Sequence, residues 1–199
     1  MSNRNFPDDF DEELKSQGKQ SVRLCLKMVN FCPDIHEFTW DPDNSSKEIS
    51  FSSDYRHAFL FETNYLFRTM ISNRPFMDGQ HYWEIIADAR TEHELKIGVS
   101  TQQKFSVSNA FCDYDFGFGF YGFGQLRHGS NAEGRKYGKP FKKKGILGVY
   151  LDMGRGQLSF ALDGEFCGIA FQDEALRRGP IWAAISLLHT GGCTLISGL

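Results

Sequence analysis

The stretch Gly145 to Ala170 reads GILGVYLDMGRGQLSFALDGEFCGIA, and its reading decides the fold. Apolar residues alternate with other types at Leu147, Val149 and Leu151, and again at Leu158, Phe160 and Leu162. A period of two puts each trio on one face of a strand. Asp152 to Gly156, with two glycines, separates the segments and reads as the turn of a hairpin. Asp163-Gly164 supplies a second reversal before Phe166, Ile169 and Phe171, because an Asp-Gly pair takes the positive φ values that a tight turn requires. The segment is an antiparallel meander.

The same pattern extends outward. Ser21 to Asn30 alternates, with Val22, Leu24, Leu26 and Met28 set against Arg23, Cys25 and Lys27, which predicts a half-buried strand. Lys47 to Phe51, Phe59 to Arg68, Gln80 to Ile86 and Leu95 to Ser100 read as further strands, with a loop around Asn73-Arg74-Pro75. Pro42 lacks a donor, so strand pairing stops there. In Phe116 to Gly124 (FGFGFYGFG) glycine alternates with aromatics, as in a strand whose aromatic face meets the core while its glycines admit another backbone. Gly117 to Gly122 also fits the spacing GxGxxG, but no βαβ unit surrounds it. No helical period persists, and only Asp173 to Arg178 suits one short helical turn. The class is all-β, with little helix.

At 199 residues the chain suffices for one well-buried domain, and 19 Phe, 7 Tyr and 3 Trp suit pleated, half-buried surfaces. Met1 to Gln20 is polar, with acidic residues at Asp8, Asp9, Asp11, Glu12 and Glu13, and reads as a tail or short surface helix ahead of a domain over residues 21–199. A net charge of −3 supplies no general attraction to polyanions. Five scattered cysteines, with no CxxC spacing, read as reduced thiols. Without an apolar leader or a run of about 18 apolar residues, the expectation is a cytoplasmic or nuclear protein that does not engage a membrane. Asn44-Ser45-Ser46 is a formal glycosylation sequon, read here as a turn.

Chemistry-bearing motifs are sparse. The histidines at 36, 57, 81, 93, 128 and 189 follow neither HExxH nor HxH, and no phosphate loop occurs, so the expectation is a non-enzyme without cofactor or metal. Arg135 to Lys144 (RKYGKPFKKK) carries Arg135, Lys136, Lys139, Lys142, Lys143 and Lys144 with Tyr137 and Phe141 interleaved. Such a segment serves either as a solvated loop that keeps a strand edge from pairing, or as a contact for nucleic acid through phosphates and stacking.

Gly79, the HYWE of His81 to Glu84, and the later Leu151-Asp152, Gly156, Leu158-Ser159-Phe160 and Asp163-Gly164 together resemble the SPRY family. The resemblance covers roughly residues 38–199, with the motif core at 79–199. It implies a bent sandwich of two antiparallel sheets that binds proteins through loops at one end. It also implies substrate recognition within ubiquitin ligase assemblies, here with ligase components as partners. Nearest in pattern are the SOCS-box and F-box SPRY proteins. In the SOCS-box group an Arg-His-Pro loop and a Val-Trp-Gly loop form a pocket for an acidic, asparagine-rich peptide. By position the arginine is Arg56, the proline becomes Ala58, and the second loop becomes roughly Leu188-His189-Thr190. The resemblance thus implies a shallow pocket lined by Arg56, Phe59, Tyr65, Leu188, His189 and Thr190, taking a peptide with an acidic residue. The alternative is nucleic acid or glycan held by Arg135, Lys136, Lys142, Lys143 and Lys144.

Overall fold

The computed structural model of the chain describes residues 34, 36–89, 91, 94–141 and 144–199. The expected tail over Met1 to Gln20, the expected strand over Ser21 to Asn30, Cys25, Cys32, His93, Lys142 and Lys143 lie outside the described residues.

Among the described residues thirteen strands run in chain order: β1 Ile49–Phe51, β2 His57–Phe61, β3 Phe67–Ile71, β4 Gln80–Ala87, β5 Leu95–Ser100, β6 Gly117–Tyr121, β7 Gln125–His128, β8 Arg135–Lys136, β9 Ile146–Asp152, β10 Gln157–Leu162, β11 Glu165–Gln172, β12 Trp182–Leu188 and β13 Thr190–Ile196. They form two antiparallel sheets, one ordered β1-β2-β13-β4-β9-β10-β11 and the other β3-β12-β5-β6-β7-β8. Short 3-10 turns at Phe111–Asp113 and Glu174–Arg177 are the only helical pieces among the described residues, the second with Asp173 accepting from the Ala175 amide at 2.8 Å.

The meander forms as read. Leu158 lies opposite Leu151 and Phe160 opposite Val149, while Asp163 and Gly164 both take positive φ, of 50° and 83°. Two register shifts between β10 and β11 change the face: Phe166 and Ile169 lie opposite Ala161 and Ser159 on the outer side, whereas Phe171 lies opposite Leu158. The core fills the space between the sheets, with Trp83, Phe76, Phe118, Phe120, Val149, Leu151 and Phe160 essentially inaccessible.

The glycine-aromatic strand is β6, whose Phe118 and Phe120 face the core. Its glycines face the other way, beneath the segment over residues 101–116, and a Cβ at Gly117 would lie 2.1 Å from the Phe111 carbonyl oxygen. Close backbone approach is therefore what the alternation encodes.

Phe59 to Arg68 is not one strand. The chain leaves the seven-stranded sheet after Phe61, crosses through Glu62 to Leu66, and enters the six-stranded sheet at Phe67. The polar triplet Glu62-Thr63-Asn64 has no place in a buried strand interior, and Arg68 fixes the crossing by a two-pronged ion pair to Glu62 at 2.8 Å on each oxygen. The chain also switches sheets between β4 and β5, between β8 and β9, and at His189 between β12 and β13. The chain also crosses from β3 to β4 and from β11 to β12 at the other end, whereas these four crossings fall together at one end of the sandwich, since Leu188 pairs with Phe67 while Thr190 pairs with Phe61. Irregular loops from both sheets collect there.

Candidate functional site

Tyr65, Leu188, His189 and Thr190 come together at this crossover end. The ring of His189 stacks on that of Tyr65 with centroids 4.6 Å apart and planes 15° off parallel. His189 turns the corner with φ of 56°, and its carbonyl accepts from the Glu62 amide at 3.1 Å, which ties the two crossings together. Phe59 stands on the outer face of β2, with Phe61 6.5 Å along the same face.

Arg56 is elsewhere. It precedes β2, whose register runs from His57 opposite Thr194 to Phe61 opposite Thr190, so the strand itself, about 13 Å long, separates it from His189. Its guanidinium is engaged by the Glu37 carboxylate and donates to Ser197 Oγ at 3.3 Å. The expected pocket combining Arg56 with Tyr65 and His189 is thus not assembled. A resemblance aligned on Arg-His fixes sequence positions, whereas the end of the sandwich at which a residue emerges depends on the strand direction that follows it.

The structure adds residues the sequence reading missed. Phe61 is 72% exposed, Tyr65 67% and Leu66 51%, three large apolar side chains within six residues. Phe123, also exposed, lies on the same end, where ring contacts run from Phe67 to Tyr121 at 6.2 Å and from Tyr121 to Phe123 at 5.1 Å. The signal was present: Phe61 shares the outward parity of Phe59, but reading through to Arg68 as one strand concealed it. Beneath this surface Lys96 is only 2% exposed, its ammonium 2.6 Å from Asp113 Oδ1 and 4.3 Å from the Phe67 ring centroid. That cation is consumed internally, and it anchors Phe67.

The basic segment divides by residue. Arg135 donates to the Ala170 carbonyl at 2.6 Å, and the Tyr137 hydroxyl reaches the Gly168 carbonyl at 2.5 Å. These side chains occupy acceptors along β11, the last strand of its sheet, which realises the edge-protecting reading through Arg135 and Tyr137 rather than through lysines. Lys139 pairs with Glu165 at 2.8 Å, while Lys136 and Lys144 are exposed. Tyr137 and Phe141, offered as stacking aromatics, are 9% and 0% exposed. As buried side chains they present no ring face to a base.

The described histidines are held in structural contacts. His81 Nε2 donates to the Asp78 carbonyl at 2.6 Å, and its ring lies 4.4 Å from Phe76 and 5.4 Å from His36. Burial lowers the pKa of both His81 and His36, which keeps them neutral. His128 stacks on Phe118 at 4.1 Å and meets the Gly117 carbonyl. His57 contacts Thr194 Oγ1 at 2.9 Å. Among the described residues no cluster of three or more His, Cys, Asp or Glu side chains is placed to hold a metal.

A sandwich joined by four crossings at one end, with the HYWE strand at its centre, agrees with the family model for the SPRY domain, which matches residues 80–199. The chain belongs to the SPRY family. Two solved SPRY structures share the fold: the SPRY domain of human HERC1, at 13% identity and a TM-score of 0.63 over 79% of this chain and 97% of that one, and the TRIM65 PSpry domain, at 19% and 0.66 over 87% and 93%. By sequence, the ATP-dependent RNA helicase DDX1 of Xenopus laevis is 32% identical over 101 residues, 51% of this chain and 13% of the helicase. The SPRY domain-containing SOCS box protein 3 of Xenopus tropicalis is 26% identical over 144 residues, 67% of this chain and 39% of that protein. The chain therefore matches well under half the length of either relative. SPRY domains are in general interaction modules, and the loop-rich crossover end of this one offers apolar surface through Phe61, Tyr65, Leu66 and Phe123.

Proposed function

We propose that this SPRY domain is a non-catalytic module that binds a protein segment at its crossover end, with Phe61, Tyr65, Leu66 and His189 as the contact surface. The observation that carries the reading is the exposure of Phe61, Tyr65 and Leu66 beside a Tyr65 ring already stacked on His189. Ordering Tyr65 in advance lowers the entropy cost of binding. Covering two exposed aromatic rings removes on the order of 200 Å² of apolar surface from water, worth about 5 kcal/mol before association costs. Lys136, exposed on β8, suits an acidic residue flanking the apolar contact. The likeness to a SOCS box protein supports a further proposal, that the bound protein is presented to ubiquitin ligase components.

The test is a peptide-display selection on the intact chain, followed by affinity measurement of the selected peptides against variants. Tyr65→Ala should weaken them at least tenfold while leaving the melting temperature within about 2 °C, because the side chain is mostly exposed. Arg56→Ala should leave their affinity unchanged. Equal binding by Tyr65→Ala, with loss in a variant changing Lys136 and Lys144 to Glu and a steep fall with salt, would sink the reading in favour of nucleic acid at the basic loop.

A further inference from the structure

Arg127 lies on β7 with its side chain on the outer face of the six-stranded sheet, opposite Gly119 of β6. It is 8% exposed, and its guanidinium makes one hydrogen bond, from Nη2 to Gln125 Oε1 at 3.0 Å. Nε and Nη1 are buried without an acceptor among the described residues. Lys96, two strands away on the same face, is buried too, but Asp113 pairs with it at 2.6 Å. A buried cation held by one neutral amide is an unfavourable arrangement, because burial strips its hydration and only an anion with acceptors to spare restores the loss. Two features leave the guanidinium open to such an anion. Gln125 is only partly buried, and a rotamer change of its side chain frees Nη2. Beside Nε stands Gly134, which has no side chain; a Cβ there would lie 3.1 Å from that nitrogen.

The unbalanced charge adjoins the crossover end through Tyr121. That ring lies 5.3 Å from the Arg127 guanidinium carbon, 6.2 Å from the Phe67 ring and 5.1 Å from the exposed Phe123. We propose that Arg127 sets the specificity of this end: the protein segment bound there carries an aspartate or glutamate whose carboxylate displaces the Gln125 amide and takes the guanidinium. The inference rests on the crossover end being the contact surface, and it adds which residue type the segment must carry and where. About four extended residues separate that acid from the residue covering Phe67. The exchange replaces a neutral acceptor by a charged one, which makes a shorter hydrogen bond about twice as strong, and it gives the buried cation its counter-charge. A basic or apolar residue in the same place would leave the guanidinium unpaired and further desolvated, so the arrangement also selects against such segments. Lys136, in register with Gln125 on β8, is exposed, and a pair made there contributes less.

Peptides selected on the intact chain test this, each compared with a copy whose Asp or Glu is changed to Asn or Gln. The acid-to-amide change should weaken binding about tenfold or more in the parent, in Tyr65→Ala and in Lys136→Gln, but less than about twofold in Arg127→Gln. Gln125→Glu guards against a loss caused by misfolding, since it supplies the carboxylate from within: it should raise the melting temperature while abolishing the preference for the acidic peptides. Selected peptides without a recurrent acidic residue, an undiminished penalty in Arg127→Gln, a penalty lost in Lys136→Gln instead, or an unchanged preference in Gln125→Glu would each overturn the proposal. Tyr65→Ala separates the two readings. If it binds the peptides as the parent does while the coupling to Arg127 persists, the aromatic contact falls and the carboxylate site stands; if it weakens them without any coupling to Arg127, the contact stands and this proposal falls.

Discussion

Trp83 is the outcome most directly computable from the packing. Its side chain is 1% exposed, lies 5.1 Å from the Phe76 ring in a stacked pair, and meets Phe38 edge-on at 5.8 Å. Trp83→Ala removes a large core aromatic, which costs about 3–5 kcal/mol through lost burial and the cavity left behind. The two ring contacts, each worth about 0.5–1.5 kcal/mol, place the loss toward the upper end of that range. Against a total stability of about 5–15 kcal/mol this is a large fraction. For a chain of this size each kcal/mol lowers the melting temperature by about 2–4 °C, so a fall of about 8–20 °C is expected by circular dichroism, with the urea midpoint moving in the same direction. Because Trp83 faces the core far from His189, peptide affinity at the crossover end should persist in the fraction that remains folded. A variant melting within 2 °C of the parent would refute both the assigned face of β4 and the packing of Phe76 and Phe38 against it.

Other outcomes follow from the buried ionisable groups. Burial raises the Glu84 carboxyl above its usual range, more than the Tyr82 hydrogen bond lowers it, so folding favours its protonated form. Stability from this group is full below the unfolded value of 4.5 and is lost as pH rises through the folded pKa; Glu84→Gln should therefore gain on the parent as pH rises from 4.5 to 7.5, and a constant difference between their urea midpoints would contradict this. His36 and His81, both lowered chiefly by burial, act in the other direction: their contribution is present above 6.5 and is lost as pH falls below it, with a slope of at most about 1.4 kcal/mol per pH unit from His81, and a flat profile between pH 7.5 and 5.5 would refute it. Burial pushes the Cys112 thiol up to about 12 and raises Cys193 further, so in the folded chain at pH 8 iodoacetamide should label the partly exposed Cys167 while sparing both; equal labelling of the three by mass spectrometry would show that the sheets open readily.

The meander over Gly145 to Ala170 was legible because its determinants are local. A period of two selects strands, and Asp163-Gly164 selects a turn with positive φ whatever the remainder of the chain does. The HYWE strand was likewise available from motif order, though its central place was not, and the alternating glycines of β6 announced a close backbone approach before its partner, the segment carrying Phe111 and Cys112, was known. What sequence could not supply was the end of the sandwich at which each loop emerges. Arg56 lies just ahead of the apparent strand Phe59 to Arg68 and Tyr65 within it, yet the break at Glu62 sends the chain into the other sheet and leaves the two residues at opposite ends of β2. Nor does spacing reveal that Tyr137 and Phe141 turn inward while Phe61 and Tyr65 turn outward, because all four are aromatic residues in or beside loops and residue type alone does not separate them. Periodicity reports which side of its own element a residue occupies. Whether that side meets core or solvent depends on what the other sheet and the crossing loops place against it, and only the tertiary structure decides that.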